Sequence, residues 1–203
     1  MSAVTVVDAR AVDVPQMVDV HERSFPSEFL TSLGPDFLTW YYRRVIAAAN
    51  GVALVAKTEQ RVVGFVCGTY EGDGSGDSLV LEKAPAMRAA VSIVFGRPQR
   101  IPALLQRYRW LGSEGSTLEP FDIELASLAT EPSVQGQGIG KILVRAFADR
   151  SISLSQEKIS LTTNEYGNDG VIAFYEKLGF QRTRGFQRDR PMVQFIASSS
   201  SLI

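Results

Sequence analysis

Two periods of apolar and polar positions alternate along the chain. "VTVVDAR" is rich in β-branched residues and reads as a strand. Val14, Met17, Val18, His21 and Phe25 then recur at helical spacing and fall on one helix face. "SFPSEF" breaks that helix. "GPDFLTWYYRRVIAAAN" predicts a second helix, with Pro35 near its start and Asn50-Gly51 as its stop. "VALVAK" and "RVVGFVCGTY", parted by "TEQ", predict a hairpin.

Downstream, "EGDGSGD" (Glu71–Asp77) reads as a flexible loop. Met87, Ala90, Val91, Val94 and Phe95 follow at helical spacing, and Leu104, Leu105, Tyr108 and Leu111 suggest another helix. A structureless stretch of this length would be unusual, so residues of about 84–112 are expected to form a helical insertion. It carries Arg88, Arg97, Arg100, Arg107 and Arg109. "FDIELASLAT" (Phe121–Thr130) is a strand ended by Pro132, and a glycine-rich turn and a helix to about Arg150 come next. "KISLTT" is a strand, and "NDGVIAFYEKLG" is a short helix with Asn168 at its start and Gly179 as its C-cap. "FQRTRGF" and "RPMVQFIA" close the chain as strands. The order β-α-α-β-β-(helical insert)-β-α-β-α-β-β predicts a mixed α/β domain over residues 1–197, with 198–203 as a disordered tail.

Composition narrows the function classes. The chain has 203 residues, 45% apolar and 21% charged, as in a soluble globular protein. A net charge of −1 gives no basic field to attract nucleic acid. A single cysteine, Cys67, precludes an intrachain disulfide and suits a reducing cytoplasm, and the first residues lack the layout of a signal peptide. One histidine and one cysteine argue against a transition-metal site. No run is apolar enough for an integral membrane contact, whereas "AAVSIVF" leaves a peripheral one open. Either a monomer or a homodimer is compatible, since the insertion or the last strand could pair two copies.

"PSVQGQGIGKILVRAF" (Pro132–Phe147) places Gly136, Gly138 and Gly140 where a helix begins. A strand, a glycine turn and a helix N-terminus present unpaired N–H groups to one point, which is a ready anion site. Two familiar phosphate loops fail on spacing. Only three residues separate Gly136 from Gly140 where a P-loop needs four, and the glycines read G-x-G-x-G rather than G-x-G-x-x-G. The competing reading is a turn that merely eases helix–strand packing.

A second motif shifts the weight to the anion-site reading. "Q-x-x-G-x-G" at Gln135–Gly140 and "N-x-x-x-x-x-F-Y-E-K-L-G-F" at Asn168–Phe180 lie about 30 residues apart. Together, with "ATEP" before them, they resemble the GCN5-related N-acetyltransferase (GNAT) superfamily across residues 121–181. The resemblance implies an acyl-CoA N-acyltransferase fold and acetyl-CoA as cosubstrate, lying where strand 121–130 and "KISLTT" splay apart. It further implies that the pantetheine arm pairs with backbone groups of Leu128, Ala129 and Thr130. The pyrophosphate would rest on the N–H groups of Gln135, Gly136, Gln137, Gly138, Ile139, Gly140 and Lys141. Asn168 would hydrogen-bond the cofactor arm.

The resemblance implies direct transfer through a tetrahedral intermediate, with an N–H near Leu128 facing the oxyanion. Tyr175 matches the family's tyrosine, which often serves as general acid. Glu124 lies eleven residues before Gln135, the spacing of the catalytic glutamate in histone-acetylating members, and is the candidate base. Strand alternation would put Asp122, Glu124, Ala126 and Leu128 on one largely apolar face, which would raise a carboxylate's pKa. The alternative is a solvated carboxylate or an ion pair.

Other residues are expected to be structural: His21 as a core or groove histidine, Cys67 as core filler, and Trp40, Tyr41 and Tyr42 as core. Asp169 and Glu176 are expected in solvent. The insertion arginines form a solvated face or bind an anionic acceptor such as a nucleotide-linked sugar. The acceptor is expected to be a primary amine of a small molecule, with an amino sugar as one candidate. The alternatives are a protein N-terminus or lysine, and a non-catalytic acyl-CoA-binding module.

Overall fold

The structure is a computed structural model that describes residues 3–59, 61–70, 118–187 and 191–202. The expected loop at 71–77, the helical insertion and its arginines lie outside the described residues.

The elements follow the expected order. Strand β1 (Val4–Asp8) leads into helix α1 (Val14–Ser24), a single turn α2 (Phe29–Ser32) and helix α3 (Pro35–Ala47). Strands β2 (Gly51–Thr58), β3 (Arg61–Tyr70) and β4 (Ile123–Thr130) follow. Then come helix α4 (Ile139–Ser153), β5 (Lys158–Asn164), α5 (Asp169–Leu178), β6 (Gln181–Gln187) and β7 (Pro191–Ser198). The strands form one seven-stranded sheet in the order β1-β2-β3-β4-β5-β7-β6. All neighbours are antiparallel except β4 and β5. No helix among the described residues is long and apolar enough to cross a membrane.

Two apolar layers sandwich the sheet. On one face α1 and α3 bury Val14, Met17, Val18, Leu38 and Tyr42 against Val55, Phe65 and Cys67. On the other, α4 buries Leu143, Val144 and Phe147 against Leu54, Val66, Ile123 and Leu125. Amphipathic helices and alternating strands require this arrangement, because each apolar face needs a partner layer.

Several boundaries differ from the sequence expectation. Helix α3 ends at Ala47, before Asn50-Gly51, because Ala48 turns extended. Asn50 is instead buried, donating its side-chain amide to Tyr70 O at 2.8 Å and so fastening the start of β2 to the end of β3. The stretch that breaks the first helix runs directly into the turn α2. Residues 199–202, expected in a disordered tail, form a 3-10 turn whose Leu202 is 3% exposed. Leu202 packs in the α4 layer with Phe180, so burial of one apolar side chain orders this end despite its serine-rich sequence.

Candidate functional site

The site begins with a defect in the sheet. Strand β4 carries a bulge: Cys67 pairs with Ser127 and Gly68 with Leu125, so Ala126 is the extra residue. A bulge bends its strand and flips the facing of side chains beyond it. Parallel pairing between β4 and β5 is confined to Ile123 with Ile159 and Glu124 with Ser160. Beyond that point the two strands separate. A cavity of about 1100 Å³ runs through the gap. His21, Ser24 and Phe25 line it on the α1 side, and Gly140, Phe174 and Tyr175 line it on the α4–α5 side.

The bulge corrects one expectation. Asp122, Glu124, Ala126 and Leu128 do not share a face. Leu128 packs into the α4 layer. Glu124 lies on the α1–α3 side, where its charge acts on Tyr41 and Cys67. Its facing neighbours beyond the bulge are therefore Ser127 and Ala129. Asp122 accepts the N–H groups of Glu157 and Lys158 at 3.0 and 2.8 Å, which fixes the closed end of the gap.

The phosphate-type turn is built by backbone. Gly136 and Gly138 have φ of +77° and +83°, in the left-handed region that side-chain-bearing residues avoid. A Cβ on either would meet nothing within 4 Å, so the space above the turn is open. Gly140 has a different reason, since its Cβ would come within 3.3 Å of Phe174 Cζ on α5. Ile142 N–H is bonded to Gly138 O at 3.1 Å as the first turn of α4, which leaves the N–H groups of Ile139, Gly140 and Lys141 ahead of the helical ladder. No acidic residue stands in that turn. The N–H groups of Gln135 and Gln137 bond back to Pro132 O and Val134 O, each at 3.4 Å, so the row of free donors is shorter than the sequence suggests. Gln137 does not line the cavity, and Ile139 is buried in the core, so only its backbone is at the turn.

The remaining candidates converge on the same space. Leu128, Ala129, Thr130, Gln135, Gly136, Gly138, Lys141 and Asn168 all line the cavity with Glu124 and Tyr175. Thr130 O accepts from Ser24 Oγ at 3.0 Å and Gln135 Nε2 at 3.3 Å. Asn168 does not cap α5 through its side chain. It donates Nδ2 to Thr163 Oγ1 at 2.6 Å across to β5. Tyr175 is buried against Phe174 and Phe180, and burial pushes its phenol well above the usual range, so it stays protonated. Cys67 is buried, its thiol pushed up to about 12 mainly by desolvation, as core filler would be.

Sequence reasoning missed Ser127, Thr162, Thr163 and Asn164, all on the cavity wall. Asn164 Oδ1 is buried without a hydrogen-bond partner. A signal existed: "TTN" ends an otherwise apolar buried strand, and polar residues at the carboxyl end of a central strand often face a ligand.

With this geometry in place, residues 14–180 match the model of the acetyltransferase (GNAT) family, and the chain belongs to that family, whose members use acetyl-CoA. One relative is N-alpha-acetyltransferase RimI of Mycobacterium tuberculosis, 32% identical over 63 residues. That match takes in 31% of this chain and 37% of the relative's length. The fold is also similar to PaiA N-acetyltransferase of Thermoplasma acidophilum in complex with coenzyme A (TM-score 0.63, 12% identity, covering 97% of this chain and 99% of that one). A chimera of the Vibrio cholerae spermidine N-acetyltransferase SpeG is similar to the same degree (TM-score 0.63, 15% identity, covering 99% and 98%).

Proposed function

We propose that this chain is an N-acetyltransferase that moves an acetyl group directly from acetyl-CoA to a primary amine. One observation carries the reading: a single cavity passes through the split sheet and joins an anion-ready turn on one face to a carboxylate on the other. Acetyl-CoA supplies an activated thioester. The turn at Gly136–Lys141 would take its diphosphate, since the turn offers N–H donors, open space and no competing carboxylate. The edge of β4 at Leu128–Thr130, past its last pairing with β5, and the facing edge of β5 would hold the arm, with Asn168 at the rim and Thr130 O already accepting from Ser24 and Gln135.

Three proton and charge tasks then fall to this chain. An amine is mostly charged at neutral pH and must lose a proton before it can attack. Glu124, on the α1–α3 side of the gap, is the base for that step, directly or through a water. A backbone N–H of β4 near Leu128 faces the developing oxyanion. Tyr175 keeps its proton at neutral pH; it would hydrogen-bond the departing thiolate and pass it a proton as a replacement arrives from solvent, because its buried site disfavours a phenolate.

The acceptor enters from the α1–α3 side. Its wall is formed by His21, Ser24 and the Phe25–Glu28 turn. A small-molecule amine is the primary reading. The similarity to an N-alpha-acetyltransferase favours a second, the α-amino group of a peptide. The test is acetyl-CoA-dependent thiol release across amino sugars, polyamines, aminoglycosides, amino acids and short peptides. Turnover with one class supports the reading and fixes the acceptor. Bound acetyl-CoA with no thiol release above hydrolysis for any amine sinks it.

A further inference from the structure

His21 is the chain's only histidine, and it is 2% exposed while lining the acceptor side of the cavity. Its Nδ1 lies 2.5 Å from the hydroxyl of Tyr42 on α3. Its other ring nitrogen, Nε2, is buried without a hydrogen-bond partner. His21 lines the cavity, and a buried, unpaired polar atom of a lining residue is costly unless a ligand or water reaches in to complete it.

Hydrogen-bond completeness assigns the tautomer. If Nδ1 carried the proton, it would donate to Tyr42 Oη. The phenol proton would then need a further acceptor, and Nε2 would be a bare lone pair. If Tyr42 donates instead, both Nδ1 and the phenol proton are satisfied, and Nε2 carries the N–H. Burial holds the Tyr42 phenol well above its usual range, so its proton is retained and available to Nδ1.

We infer that Tyr42 locks His21 as a neutral imidazole whose Nε2–H is a fixed donor to the acceptor substrate, selecting amines that bear a carbonyl or hydroxyl oxygen beside the reacting nitrogen. This rests on the transferase reading above. An amino-acyl terminus or an amino sugar supplies such an oxygen. A polyamine does not, because its charged nitrogens offer only donors, and a donor facing a donor is a mismatch. The imidazole is not a base here: desolvation lowers it to about 4, so it stays neutral near pH 7. The ionisable group in contact with the ring is Tyr42 of α3, on which Tyr41 and Cys67 act in turn, while Glu124 of β4 and Glu28 line the same cavity.

The experiment has two arms on the full chain. In the first, protein labelled with 15N-histidine gives a single imidazole in a long-range 1H–15N spectrum. The expected pattern is the Nε2–H tautomer, unchanged from pH 8 to 5. The second arm measures kcat and KM for L-alaninamide, glucosamine, spermidine and butylamine. The oxygen-bearing amines should be preferred. His21→Phe should raise their KM about 3- to 10-fold more than that of butylamine, the size of one lost hydrogen bond, and His21→Gln should recover part of the loss. If His21→Phe fails to fold, Tyr42→Phe serves, with mixed tautomers and a weakened preference expected. An Nδ1–H tautomer, titration near pH 6.5, or spermidine and butylamine used as well as the others would overturn the inference while leaving the transferase intact. No turnover with any amine would overturn both.

Discussion

The two sides of the cavity are built in different ways. The side proposed for the cofactor is local in sequence. A strand, a glycine turn and two helices within residues 121–181 supply it, largely through backbone N–H groups and backbone conformation. The acceptor side is assembled from far-apart segments: His21 meets Tyr42 across 21 positions, and Ser24 meets Thr130 across 106. Backbone-built sites tolerate side-chain change but not a change of conformation. Side-chain-built sites can be retuned one residue at a time, which would suit the acceptor role we propose for this wall.

The largest effects should come where the two sides meet. Glu124→Gln and Tyr175→Phe should each lower kcat by about 10²- to 10³-fold with little change in acetyl-CoA affinity, since each removes a proton-transfer group. Rapid-quench or steady-state kinetics beside a direct binding titration separate the two quantities. A fall in affinity with kcat intact would mean that these residues shape the cavity rather than transfer protons.

On the cofactor side, Gly138→Val should be the sharper lesion. It forces a β-branched residue to a φ of +83° at the first turn of α4. We expect acetyl-CoA affinity to fall by roughly 10-fold or more, with acceptor KM little changed, because anion binding depends on that turn's donors. Gly140→Ala, where the obstacle is Phe174, should instead show mainly as lost stability. Equal effects of both on binding would break the distinction between a conformational glycine and a packing glycine.

The same contrast explains what could be read from the chain in advance. The elements we propose for the cofactor were legible because their residues announce themselves by spacing: Gly136, Gly138 and Gly140, then Asn168 to Phe180. Element order was legible too, since apolar periodicity and burial agree along α1, β2, β3 and α4. The facing of Glu124 was not. Period-two alternation fails at Ala126, and nothing in "ELASLA" marks a bulge that is fixed by pairing with Gly68 of a distant strand. The Tyr42 partner of His21 was equally hidden, because it comes from the packing of α1 on α3. Leu202 shows the same limit: one apolar residue after a serine run is ordered by a pocket that only the folded chain provides.

Acidification should act through the acceptor side. His21 has a folded pKa near 4 against an unfolded value of about 6.5. Between those values the unfolded chain binds more protons, so stability falls as pH drops from about 6.5 toward 4. The slope approaches about 1.4 kcal/mol per pH unit, giving a loss on the order of 2 kcal/mol by pH 5. Urea melts at pH 7 and pH 5 should show it, and His21→Gln should flatten that part of the profile. An unchanged slope in the variant would place the acid sensitivity elsewhere.

The smallest effect tests whether the two sides communicate. Arg23 at the end of α1 reaches both oxygens of Glu131 at 2.9 and 3.1 Å, just past β4, and Arg61 approaches the same carboxylate at 3.9 Å. With Ser24 on Thr130 O, this fastens the acceptor wall to the strand end that opens the phosphate-type turn. Arg23 is half exposed, so solvent screens the pair and its contribution is modest. Glu131→Gln keeps the shape and weakens the tie, and should raise the KM values for acceptor and acetyl-CoA together by about 2- to 5-fold. Raising ionic strength should shift the parent protein the same way and the variant less. If only one KM moves, the two sides are neighbours in space but independent in function, and the contrast between them extends to their energetics.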